Sequence, residues 1–148
     1  MLKELIDREL ADKKLEPDKI RPLALAYLGD TILDLYVRSK IVEGTSLHPK
    51  EMHQLASSMV NASSQAKMMK HILDLLDEEE HEVFRHARNQ QSGTMPKNQS
   101  PIDYKWATGM EALLGYLYLK GREERLYQLM KEATDYLQKE RQEEKKHE

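Results

Sequence analysis

The chain has 148 residues, 33% of them charged and 39% hydrophobic, with a formal net charge of −3 and no cysteine. That length suits one domain able to bury a core, and the missing cysteines exclude disulfides and thiolate metal sites, as befits a reducing cytosol. The mild negative charge exerts no global pull on nucleic acid, so a polyanion has to be met by a local basic patch or by metal ions.

In chain order, residues 2–15 alternate apolar and charged positions at helical spacing and predict a short helix. The opening Met1–Glu9 stretch has no apolar core of the kind a signal peptide needs. No segment is long and charge-free enough to span a membrane, and a cytoplasmic protein with no membrane partner is expected. Pro17 to Pro22 is a connector, with Pro22 placed to start a helix. Residues 22–42 then predict a helix that is apolar nearly all round and therefore central. Leu25, Leu28, Ile32, Leu35 and Tyr36 form one stripe, and Leu23, Ala26, Leu33, Val37 and Ile41 another. Asp30 and Asp34 are its only acids.

One helix is expected over 48–75, then a shorter one to Arg88 whose acidic start, Asp77 to Glu80, suits the helix dipole. Residues 89–101 hold two prolines and no periodic pattern, which predicts the one long loop of the domain. Loops of that length are usually functional or mobile. A second apolar helix is expected over 103–119, with Glu111 the only acid between Tyr104 and Arg122. Gly121 marks a break. A last helix runs from about 122 to 138, and the charged residues after it are expected to fray. The organisation is an N-terminal helix and connector (1–20), a main domain (21–140) and a charged tail (141–148). The fold class is all-α.

Two apolar helices thus carry acids beside glycines, and buried carboxylates are costly unless paired, protonated or metal-bound. Gly29 next to Asp30, and Gly115 one turn beyond Glu111, suit a close helix crossing that brings the two acids together. Facing carboxylates repel and trap a proton unless a cation lies between them. A hard divalent ion such as Mg²⁺ needs only one or two carboxylates plus substrate phosphate and supports phosphodiester hydrolysis. On the residues alone, a mid-helix acid is more often solvated or salt-bridged than a ligand, and Asp34 pairs best with Arg38 at i,i+4. From Phe84 to Lys105 four basic residues (Arg85, Arg88, Lys97 and Lys105) stand against one acid, Asp103. With Asn89 and Asn98 they could grip phosphates and sugars without reading sequence, or form a merely solvated loop. The histidines have no metal-ligand spacing.

Leu25-Ala-Tyr-Leu-Gly-Asp30 followed by Ile32-Leu-Asp-Leu35 resembles the ribonuclease III signature, and Glu111-Ala-Leu-Leu-Gly-Tyr-Leu-Tyr-Leu119 resembles its second motif. The short length, Arg88-Asn89, and Pro96-Lys-Asn98 before the second helix are similar to the Mini-ribonuclease III branch. The resemblance covers roughly residues 20–140. It implies a ribonuclease III endonuclease-domain-like helical fold working as a homodimer. It implies cleavage of double-stranded RNA with Mg²⁺, Mn²⁺ being able to substitute, to leave 5′-phosphate and 3′-hydroxyl ends. It also implies 23S ribosomal RNA precursor as the substrate, and no separate RNA-binding domain, for which no residues remain. Asp30 and Glu111 fall on the family's catalytic, metal-binding acids, and Arg85, Arg88, Asn89, Lys97 and Asn98 are the residues expected to touch RNA. Two further acids of the longer enzymes are replaced, by Ala26 and Thr108. That sparse set keeps open an alternative, a catalytically weak or inactive dimeric RNA-binding protein. A third reading is a helical interaction protein with no RNA role.

Overall fold

A computed structural model describes residues 1–13, 16–90, 97 and 100–147. Among these there are seven α-helices and no strand: α1 (Leu2–Leu10), α2 (Pro22–Gly44), α3 (Pro49–Val60), α4 (Ala62–Ile72), α5 (Glu78–Arg88), α6 (Pro101–Leu119) and α7 (Glu123–Lys146). Short 3₁₀ turns cover Ala11–Lys13, Pro17–Lys19 and Leu73–Leu75. The all-α expectation holds. Proline occupies the first turn of α2, α3 and α6, where its missing N–H is no loss and its fixed φ favours the helix.

The centre is α6, which packs against α2, α4, α5 and α7. Its Met110, Leu113, Leu114 and Leu117 are fully buried, among Leu33 of α2, Met68, Met69 and Ile72 of α4, Phe84 of α5 and Leu129 of α7. The crossing of α2 over α6 is set by glycine at both contacts. A Cβ on Gly29 would lie 1.7 Å from the Glu111 carbonyl oxygen, and one on Gly115 would lie 2.1 Å from the Leu25 carbonyl oxygen. No side chain fits between these backbones, so the crossing predicted from the two glycines is enforced by them. Gly121, at φ +77°, lets the chain leave α6 through a left-handed residue, and the Arg122 amide closes the end on Leu117 O at 2.9 Å.

Four expectations change. The helix foreseen over 48–75 is two, broken at Asn61, whose backbone is extended and whose side chain accepts the Ser64 N–H at 2.8 Å. An asparagine that caps a helix end overrides a continuous apolar period. The helix foreseen over 2–15 ends at Leu10 with a 3₁₀ turn to Lys13, and none of its residues is buried. The last helix does not stop at 138. The Gln, Lys, Glu and Arg residues that follow are strong helix formers, and α7 runs on to Lys146. Arg141 anchors it by donating to Ser58 Oγ at 3.1 Å and to Ser64 Oγ at 3.1 Å, at the α3–α4 junction. Finally, α2 is not enclosed on all sides. It buries Leu25, Ala26, Gly29, Leu33, Val37 and Ile41, while Leu23, Tyr27, Leu35 and Val42 stay exposed. Apolar composition marked the helix as central, but in a single copy only one of its faces is covered.

Candidate active site

The close α2–α6 crossing projects Asp30 and Glu111 into one open recess of about 480 Å³. Its walls come from α2 (Leu23, Ala26, Tyr27), from α6 (Tyr104, Ala107, Thr108) and from the α3–α4 junction (Val60, Asn61, Ala62, Gln65). The two acids differ in setting. Asp30 is exposed, contrary to the expectation that both would be buried, and Glu111 is only partly accessible. Burial, then the charge of Asp30, then a hydrogen bond with Asp30 push the Glu111 carboxyl up to about 8. No cation is among the groups that act on it. Near neutral pH Glu111 therefore keeps its proton. A divalent cation in the recess would displace that proton and satisfy both carboxylates at once.

The donor set fits a hard ion: oxygen ligands, few of them, beside open space for water and phosphate. Among the described residues no group of three or more His, Asp or Glu side chains is arranged to hold a metal. The positions where the ribonuclease III pattern carries further acids explain this. Ala26 and Thr108 both line the recess, and the Thr108 hydroxyl donates back to Tyr104 O at 3.0 Å. Asp34 lies outside the recess and accepts from Arg38 Nε at 2.9 Å, the pairing its spacing predicted.

Among the described residues, the expected RNA contacts Arg85, Arg88, Asn89 and Lys97 do not line the recess with the acids. Arg85, on the exposed side of α5, pairs with Glu82 and faces a different, acidic recess with Glu78 and Glu79. Arg88 lies over the rings of Phe84 and Trp106, at 5.3 and 5.8 Å from their centroids, and its Nε reaches Asn89 Oδ1 at 3.3 Å. Lys97 is exposed in a turn. Asn98 lies outside the described residues. Sequence reasoning passed over Asn61, Gln65 and Tyr104 as parts of the site. The signal for the first two was Asn61 as a cap, hidden while 48–75 read as one helix.

The ribonuclease III domain family matches residues 23–122, a span holding both acids and both crossing glycines. The chain belongs to the Mini-ribonuclease III branch of the ribonuclease III family. The Mini-ribonuclease 3 of Symbiobacterium thermophilum is 37% identical over 123 residues, 83% of this chain and 95% of that one. Those of Thermoanaerobacter sp. and Brevibacillus brevis are 41% and 39% identical, each over 80% of this chain and over 84% and 88% of their own length. A Fusobacterium nucleatum protein of known crystal structure superposes with a TM-score of 0.70 at 30% identity, covering 76% of this chain and 90% of that one. As a Mini-ribonuclease III-type protein the chain is an endoribonuclease of all-α fold, which removes the reading of an interaction protein with no RNA role. Among the described residues no helix is long and apolar enough to cross a membrane.

Proposed function

We propose that Asp30 and Glu111 form the active site of a Mg²⁺-dependent endoribonuclease that cuts double-stranded RNA. One observation carries the reading. Asp30 on α2 and Glu111 on the central helix line one open recess, where burial and the neighbouring acid push the Glu111 carboxyl up to about 8. Left without a cation, such a pair destabilises the fold for no structural return. Asp30 and Glu111 would hold the ion, Mg²⁺ or Mn²⁺, which when bound supplies charge neutralisation at the scissile phosphate and a more acidic water. The residues themselves orient what enters: Glu111 gives up its proton, and both carboxylates then accept from water lying against the phosphate. Water attacks phosphorus and loses a proton to solvent, the bond from phosphorus to the 3′-oxygen breaks, and that oxygen takes a proton from solvent, giving 5′-phosphate and 3′-hydroxyl ends. Arg88, held over Trp106, and Lys97 extend the grip on the duplex backbone, with Arg85, Asn89 and Asn98 as further contacts.

The working form is a homodimer. Exposed Leu23, Tyr27 and Leu35 on α2 support this, because single copies seldom leave such residues uncovered along one helix. A duplex needs two cuts, and a two-fold pair offers two sites related as its strands are. The natural substrate we propose, from membership of the Mini-ribonuclease III branch, is the 23S ribosomal RNA precursor at its ends. The cysteine-free composition supports a cytoplasmic location. Ala26 and Thr108 on the recess wall favour one competing reading, a weak or inactive RNA-binding dimer. Long double-stranded RNA, incubated with Mg²⁺ or with EDTA, decides. Cutting that needs Mg²⁺ and is lost in Asp30→Asn while binding persists supports the enzyme. Binding without cutting by the wild type supports the competitor, and unimpaired cutting by Asp30→Asn refutes the site.

A further inference from the structure

Gln65, in α4, shares the recess with the two acids and is 3% exposed. Its Nε2 donates to the Val60 carbonyl at 2.7 Å. That bond orients the amide, so Oε1 is left as a pure acceptor. Among the described residues nothing donates to it. A buried amide oxygen without a donor is destabilising, and folded proteins hold few. The fold accounts for Nε2, which serves the Val60 carbonyl, but among the described residues it supplies nothing for Oε1. The orphan is therefore better explained by what enters the recess than by the fold around it.

What Oε1 lacks is a donor. The backbone of a duplex RNA presents phosphate and ring oxygens, which only accept, and the 2′-hydroxyl, which can donate and which DNA does not have. We propose that Gln65 accepts a hydrogen bond from a ribose 2′-hydroxyl beside the scissile phosphate and is a specificity residue by which the site selects RNA over DNA. Two features of the site agree with this. Gln65 is neutral, so it adds no third negative charge beside Asp30 and Glu111. It also stands on the α3–α4 junction, a separate wall from the helices that carry the acids, where it can meet the sugar while they meet the phosphate. The inference rests on the reading of the recess as the place where RNA is cut. An O–H donor could instead be a water held on the metal, and the test separates the two.

The test is a cleavage cycle. Short duplexes carry a single 2′-deoxy substitution at successive riboses around the cut and are cleaved by wild type and by Gln65→Met, with melting temperatures measured for both proteins. Mn²⁺ binding in the absence of RNA is read by electron paramagnetic resonance. One deoxy position is expected to lower wild-type kcat/KM by about tenfold, the scale of one hydrogen bond. Gln65→Met should lower cleavage of the all-ribose duplex by a similar factor and be indifferent to deoxy at that position, with Mn²⁺ binding unchanged. Additive losses overturn the proposal. So does weakened Mn²⁺ binding with deoxy sensitivity intact, which would assign the oxygen to a metal-held water. A wild-type scan with no sensitive ribose overturns it without any variant. Should Gln65→Met melt below the assay temperature, Gln65→Leu serves in the same cycle. If wild type fails to cut the all-ribose duplex at all, the reading of the recess itself falls, an outcome distinct from the others.

Discussion

Two glutamates on neighbouring helices show what separates a structural acid from a chemical one. Glu80, in the first turn of α5, is fully buried. Burial raises its carboxyl, but bonds from Arg125 and from the Asp77 amide outweigh that and hold it below the usual range. Arg125 donates to both oxygens, each at 2.8 Å, and Asp77 and Glu80 cap the helix reciprocally. Every demand of that charge is met from within the fold. Glu111, on α6, keeps some accessible surface, yet burial first, then the charge of Asp30 and a hydrogen bond with it, push its carboxyl up to about 8, and no cation offsets them. The molecule knows how to pair a buried glutamate, and at Glu111 it does not. Under the proposed function, that unmet demand at Glu111 is the one a bound cation would answer.

The comparison can be broken most sharply by activity. Glu111→Gln should lower Mg²⁺-dependent cleavage by about 10³-fold or more, roughly 4 kcal/mol of barrier, whereas Glu80→Gln should act only through stability. Equal kcat losses at matched folded fractions would erase the distinction. Next in size is the ion pair. Removing one partner in Arg125→Met leaves a buried charge uncompensated and should cost about 3–5 kcal/mol in urea unfolding, much of it recovered in Arg125→Met with Glu80→Leu. Full additivity of the two changes would show that they do not act as a pair.

The sign of the pH dependence sharpens the contrast. Glu111 binds its proton more tightly folded than unfolded. Its contribution is thus fully present below the ordinary value of 4.5 and is lost as pH rises toward about 8. Metal-free wild type should lose on the order of a few kcal/mol over that window relative to Glu111→Gln, and Mg²⁺ should flatten the curve. A flat difference between the two proteins would remove the raised carboxyl. Glu80, held low, has the opposite sign: its contribution is present above 4.5 and is lost as pH falls through its depressed value. The smallest effect belongs to the exposed Asp34–Arg38 pair. Asp34→Ala should shift stability by about 0.5 kcal/mol or less, with cleavage unchanged, and a large loss of activity would return Asp34 to the site.

Much of this was legible along the chain. Asp30 and Glu111 stood out as lone acids on apolar helices, and Gly29 and Gly115 announced a crossing that their missing side chains make possible. Asp77 to Glu80 read as a helix start, and Asp34 to Arg38 as a local pair, because both depend on neighbours within one turn. The misses also have physical causes. A single asparagine cap divided 48–75, and charged residues that are good helix formers carried α7 past 138. Arg85, singled out for its charge, has an ion-pair partner that the loop reading did not foresee, Glu82 on its own helix.

Sequence by itself determined the helical class and the family, and it singled out two lone acids on apolar helices, because each is written in local periodicity or in a contiguous motif. Only the tertiary structure decided that Asp30 stands exposed while Glu111 is shielded, that Ala26 and Thr108 wall the same recess, and that Glu80 meets Arg125 from another helix. It alone placed Gln65 beside the acids with an oxygen unpartnered among the described residues. Burial and pairing depend on which helices meet, and residues distant along the chain become neighbours only when two glycines let α2 and α6 touch.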